Sequence, residues 1–97
     1  MWIGWIEFDI LLGDVHSLKE KRSVVRPLLA ELRRRFDVSV AEVGDQSQYR
    51  RTQVGVGLVA ADRPHLVEVL AAVERLVAGR PEIELCSARQ RELHSED

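Results

Sequence analysis

The chain has 97 residues, 45% of them hydrophobic, which supplies one packed core and leaves no length for a second, cofactor-binding domain. Fourteen basic and 16 acidic residues give a net charge of −2, which argues against attachment to nucleic acid or membrane by bulk charge alone. The single cysteine, Cys86, excludes an internal disulfide framework and a cysteine-rich zinc site, and fits a reducing, cytoplasmic setting.

Residues 2–12 alternate, with Trp2, Ile6, Phe8, Ile10 and Leu12 on one side and Ile3, Trp5, Glu7, Asp9 and Leu11 on the other, as a strand requires. Glu7 and Asp9 interrupt the apolar run and no basic segment precedes it, so it reads neither as a signal peptide nor as a membrane span. Gly13 and Asp14 end the strand, and Ser17 with Glu20 has the spacing of a capping box, which predicts a helix from near Leu18. At about 100° per residue, Leu18, Val25, Leu28, Leu29, Leu32 and Phe36 gather into one apolar stripe. Lys21 falls inside that stripe, so its side chain must either snorkel or be rotated outward. Pro27 cannot donate to the carbonyl of Ser23, which predicts a kink or a distorted first turn, with regular helix only from about Ser23.

Valine-rich residues 38–43 and 51–61, joined by the polar Gly44-Asp45-Gln46-Ser47-Gln48, form a predicted hairpin. Asp62 is placed to cap a second helix, with Pro64 in its first turn. Its stripe is Leu66, Val69, Leu70, Val73, Leu76 and Val77, and Gly79 ends it. A last strand is expected from Ile83 to about Arg91, so that residues 1–93 make one domain and 94–97 a polar tail. This order predicts an α+β fold, the ferredoxin-like βαββαβ two-layer sandwich with a four-stranded antiparallel sheet. Both helices then cover one face, against which the more apolar side of the first strand should pack, and the other face stays open. An exposed Trp5 beside Ile3 would make a small self-association surface.

Gly55-Val56-Gly57-Leu58-Val59-Ala60 matches a dinucleotide fingerprint in letters only, because that loop must open a helix and these residues lie within a strand; the glycines read as space for helix packing or a bulge. His16, His65 and His94 have no ligand partner at helical or hairpin spacing, so no metal is expected. His16, just ahead of the first helix, is placed to touch an anion, although a solvated loop histidine is the plainer reading. Cys86 in the last strand reads as a small buried hydrophobe. Glu7 and Asp9 share one side of a strand and could form an acid and base pair, but read better as the solvated half of an alternating strand. No nucleophile-elbow serine occurs. Acylphosphatases use this fold with a catalytic asparagine, and this chain has no asparagine. The chain therefore reads as a non-enzyme without cofactor.

Charge layout stands above this background. Between His16 and Arg35 seven bases face two acids, a local +5 that leaves −7 on the rest of the chain. On a helical wheel Lys19, Arg22, Arg26 and Arg33 fall within about 60° of one another. With Lys21, Arg50 and Arg51 they form the candidate phosphate-binding set, since arginine offers bidentate contacts to phosphate. The competing reading is a solvated face whose aliphatic stems cover the sheet edge. Base stacking on the sheet is disfavoured, because residues 51–61 hold no aromatic and the open face carries carboxylates.

Ser17-Leu-Lys-Glu-Lys-Arg22-Ser-Val-Val, Phe36-Asp-Val-Ser-Val-Ala-Glu-Val43 and the Val54-Gly-Val-Gly strand together resemble the bacterial YlxP-like family of small proteins of unknown function. The likeness runs from about Trp2 to Leu93, and Pro27 departs from its pattern. It implies a ferredoxin-like fold and a cytoplasmic bacterial protein associated with RNA or the ribosome, and it brings no catalytic residues. Two expectations follow: an RNA- or ribosome-associated accessory module, and, alternatively, a homodimeric interaction module using the open sheet face or an edge strand.

Overall fold

Alternation along the first strand decides which way the sheet faces. In the computed structural model, which describes all residues from Met1 to Asp97, β1 spans Trp2–Leu12 and buries its even positions. Ile6, Phe8, Ile10 and Leu12 lie in the core. The chain continues through α1 (Leu18–Arg35), β2 (Ser39–Val43), β3 (Arg51–Ala60), α2 (Arg63–Ala78) and β4 (Ile83–His94). The strands form one antiparallel sheet in the order β2-β3-β1-β4. This is the βαββαβ sandwich that the pattern of elements predicts.

Each helix starts where a side chain can meet a free amide. Ser17 Oγ accepts from the Glu20 N–H at 3.1 Å. Glu20 reaches one residue further back than a capping box prescribes, accepting the His16 N–H at 2.7 Å. Asp62 caps α2 by accepting the His65 N–H at 2.8 Å. Leu66, Leu70, Val73 and Val77 of α2 are wholly buried, each contributing about 1.5–3 kcal/mol of apolar burial.

Four expectations change. First, α1 is helical without interruption from Leu18 to Arg35, Pro27 included. Ser23 and Pro27 both lie on the exposed side, where water can satisfy the Ser23 carbonyl that Pro27 leaves free. Second, β4 runs past Arg91 to His94. His94 pairs with Trp2 and sets its ring edge-on to the indole at 4.9 Å. The Ser95 N–H donates to Met1 O at 2.8 Å, so the polar tail is shorter than residues 94–97. Third, Cys86 is exposed. A bulge pairs Asp9 with Ser87 and Ile10 with Leu85, leaving Cys86 as the extra residue on an edge strand. Fourth, the glycine that admits a helix is Gly4: a Cβ there would lie 2.6 Å from Leu66 Cδ1. Gly55 and Gly57 belong to β3 positions on the opposite, open face.

Candidate nucleic-acid interface

Seven residues were expected to act together, and the fold distributes them over five places. Lys19, Arg22 and Arg26 share the exposed side of α1. With Ser23 and Pro27 they line a shallow depression of about 410 Å³ whose walls are the aliphatic stems and the proline ring. They take part in none of the ion pairs within the chain. Three cations thus stand free along nearly two turns of helix, with Ser23 Oγ turned back to the Glu20 carbonyl at 2.6 Å.

Arg33 lies two turns beyond Arg26 and donates through Nη2 to Val40 O at 2.7 Å, which ties the end of α1 to β2. Arg50 sits at the other end, beside the start of α1. Its Nε donates to Val15 O at 3.2 Å, and its Nη2 lies 3.4 Å from His16 Nδ1. His16 also holds Asp14 Oδ1 at 2.7 Å through Nε2. Both arginines keep unused N–H groups, but their positions are set by the protein.

Lys21 leaves the set. Only 2% exposed, it points inward between α1 and the β2–β3 loop. Its ammonium donates to Gln48 O at 2.7 Å and to Gln46 O at 3.3 Å, and pairs with Glu42 Oε2 at 2.8 Å. Three acceptors use all three of its N–H bonds, so nothing remains for a phosphate. Thr52, also buried, donates its hydroxyl to the same Glu42 oxygen at 2.7 Å. The loop folds around this ammonium. Gly44 starts it at φ 74°, where a Cβ would fall 2.0 Å from Gln53 Oε1. Asp45 accepts from the Ser47 hydroxyl at 2.6 Å and the Ser47 N–H at 2.9 Å, which holds its carboxyl below the ordinary aspartate range.

Arg51 leaves the set as well, because it starts β3 on the face away from α1. It clamps Asp9 through Nε at 3.0 Å and Nη2 at 2.9 Å. That hydrogen bonding, ahead of the opposing desolvation, holds the Asp9 carboxyl below its ordinary range. Glu7 lies 3.6 Å from Arg89, so both open-face carboxylates of β1 are matched by arginines.

The polar cluster of Lys21, Glu42 and Thr52 was missed at the level of sequence, although a signal existed. Lys21 falls in the apolar stripe of α1, while Glu42 and Thr52 occupy alternate positions in step with the inward-facing Val40 and Val54. Three polar residues at inward positions of three neighbouring elements satisfy one another.

Residues 3–90 match the model of a family described as a protein of unknown function, DUF503. The uncharacterized protein YlxP of Bacillus subtilis (strain 168) is 35% identical over 82 residues, covering 84% of this chain and 89% of that protein. Among solved structures, SnoaB, a cofactor-independent oxygenase from Streptomyces nogalater, superposes with a TM-score of 0.44 at 11% identity over 97% of this chain and 92% of its own. The de novo designed protein Ferredog-Diesel gives 0.45 at 14% identity over 95% and 84%. Neither structural likeness bears on the chemistry of this chain. No helix is long and apolar enough to cross a membrane.

Proposed function

Since the chain belongs to the DUF503 family, whose function is unknown, we propose its role from its own surface: a non-enzymatic accessory module that grips the phosphate backbone of RNA, with the ribosome as its setting. Lys19, Arg22 and Arg26 make the contact, and Arg33 and Arg50 extend it at the two ends of α1. The observation that carries this reading is the group of three exposed cations around one depression, each without an acid partner. Elsewhere Arg35, Arg51, Arg63, Arg80 and Arg89 are paired with acids, and the unpaired Arg75 and Arg91 stand singly on other elements, not in a row. An unpaired row on one side of a helix costs self-repulsion, which a polyanion relieves. Backbone contacts of this kind position a protein on RNA without reading its sequence.

Co-sedimentation with ribosomal subunits and with a generic structured RNA tests this. Arg22→Glu with Arg26→Glu is expected to abolish binding with the circular dichroism spectrum unchanged, whereas Arg75→Glu, an exposed position on α2, leaves it intact. Equal binding by all three proteins would remove the ridge from the account.

A further inference from the structure

The open face of the sheet carries a knob and a hole side by side. Trp5 projects there from β1, and across from it on β3 stands Gly57, with Gly55 opposite Glu7. Next in line on β2 come Ser39, opposite Gly57, and Ala41, opposite Gly55. Two successive outward positions without a Cβ, flanked by two small side chains, open a depression of about 360 Å³ against the indole, mainly apolar and closed at its far end by Val43. A second depression, of about 540 Å³, lies on the other flank of Trp5 toward Ile3 and Val59.

Packing within the chain does not account for Gly57. A Cβ there would meet nothing closer than 3.6 Å, and its φ is not in the left-handed region. Glycine within a strand costs about 0.5–1 kcal/mol relative to alanine and marks a place where something approaches closely. That approach must come from outside, over a surface that also exposes Val59 at 61%.

We propose that the occupant is a second copy of this chain, stacked face to face across a two-fold axis that runs parallel to the strands between β1 and β3. Such an axis exchanges β1 with β3, so each Trp5 enters the depression above the other copy's Gly57. One patch then holds both knob and hole, the self-complementarity that an isologous interface requires. The same axis exchanges the two edges of the sheet, β4 with β2. Arg91, opposite Trp5 on β4, comes over the start of the other copy's β2, where Asp37 lines the larger depression. Neither Arg91 nor Asp37 has an ion-pair partner within its own chain. Glu7 and Asp9 are already matched by Arg89 and Arg51, and the unpaired Glu84 on β4, opposite Leu11, lies past the end of the short β2 that β4 would cover. At about 4.8 Å between strands and 3.3 Å per residue, the positions that face one another, all of β1 against β3 and the length of β2 against β4, offer roughly 480 Å². Two such faces reach about 950 Å², the size of a weak, reversible interface. Tryptophan in a closed pocket is the usual centre of binding energy in an interface. Both helices, with the cationic ridge of α1, remain on the outside, so dimerisation and RNA binding are independent.

Sedimentation equilibrium without RNA, from about 1 µM to 1 mM, reads the association directly. The expected mass is twice the 11.0 kDa of one chain. Gly57→Leu, which fills the hole, and Arg91→Glu, which places like charges together, should each weaken the dimer at least tenfold, a loss of about 1.4 kcal/mol. Combining Arg91→Glu with Asp37→Arg should restore the affinity to within about threefold of the native protein, a readout that a folding defect cannot imitate. A protein that stays monomeric to the top of the range overturns the proposal. So does a dimer indifferent to Gly57→Leu, or a charge exchange that restores nothing.

Discussion

At position 21 a lysine occupies a place that the helix stripe reserves for an apolar side chain, and the energetics of that place follow from what surrounds the ammonium. Glu42 and the carbonyls of Gln46 and Gln48 consume its three donors, so Lys21→Met strands a carboxylate and two carbonyls. Removing one partner of a buried pair costs 3–5 kcal/mol; because Glu42 stays partly hydrated, about 2–3 kcal/mol is expected from urea unfolding. Lys19→Met, two residues away and exposed, should fall within about 0.5 kcal/mol of the native protein. Equal effects of the two would contradict the buried latch. Asp9 gives the second residue-scale expectation. Its carboxyl is held below the ordinary range chiefly by the Arg51 hydrogen bond, so this contribution to stability is complete above the ordinary aspartate value. It is lost as pH falls through the lowered one. Asp9→Asn should therefore flatten the acid limb of unfolding midpoint against pH, while an unchanged limb would show that the Arg51 clamp is energetically silent. Both residues were legible only in part, because a wheel places Lys21 on the inner stripe but does not supply the hairpin that closes over it.

Elements were legible where one periodicity ruled. The alternation in β1, the stripe of α2 and the caps at Ser17 and Asp62 fixed element order and orientation, since each rests on contacts within a few residues. What escaped depended on neighbours distant in sequence. The bulge that exposes Cys86 exists only because β4 pairs with β1, and the extension to His94 rests on Trp2 and Met1 at the other end of the chain. Tolerance of Pro27 follows from which side of α1 meets solvent. Gly4 is the test at this scale. A Cβ there intrudes on the fully buried Leu66, so Gly4→Ala should destabilise by about 1–3 kcal/mol through overpacking. A Cβ on Gly13 meets nothing within 4 Å, and Gly13→Ala should be neutral or slightly stabilising. A neutral Gly4→Ala would mean that α2 does not rest on β1 as closely as the structure has it.

Across the whole molecule the two faces of the sandwich carry different work. The helical side turns a row of unpaired cations outward from a protein whose net charge is −2, so attraction to a polyanion must be local. The candidate ridge was readable from the wheel as a charge layout, but its membership was not: Arg51 belongs to the far face and Lys21 to the interior, and only the hairpin's path decides that. Three to five cations remain, and this number sets a measurable quantity. Each neutralised phosphate releases condensed counterions, so the logarithm of the binding constant falls with the logarithm of salt in proportion to the number of contacts.

The most direct test is therefore the affinity of the purified protein for a structured RNA across a salt series, by fluorescence anisotropy, for the native chain and for Arg22→Ala with Arg26→Ala. A slope of about −3 to −4 is expected for the native protein, shallower by about 2 in the variant. Absence of binding at low salt, or one slope shared by both proteins, would rule out the ridge as a phosphate-binding surface.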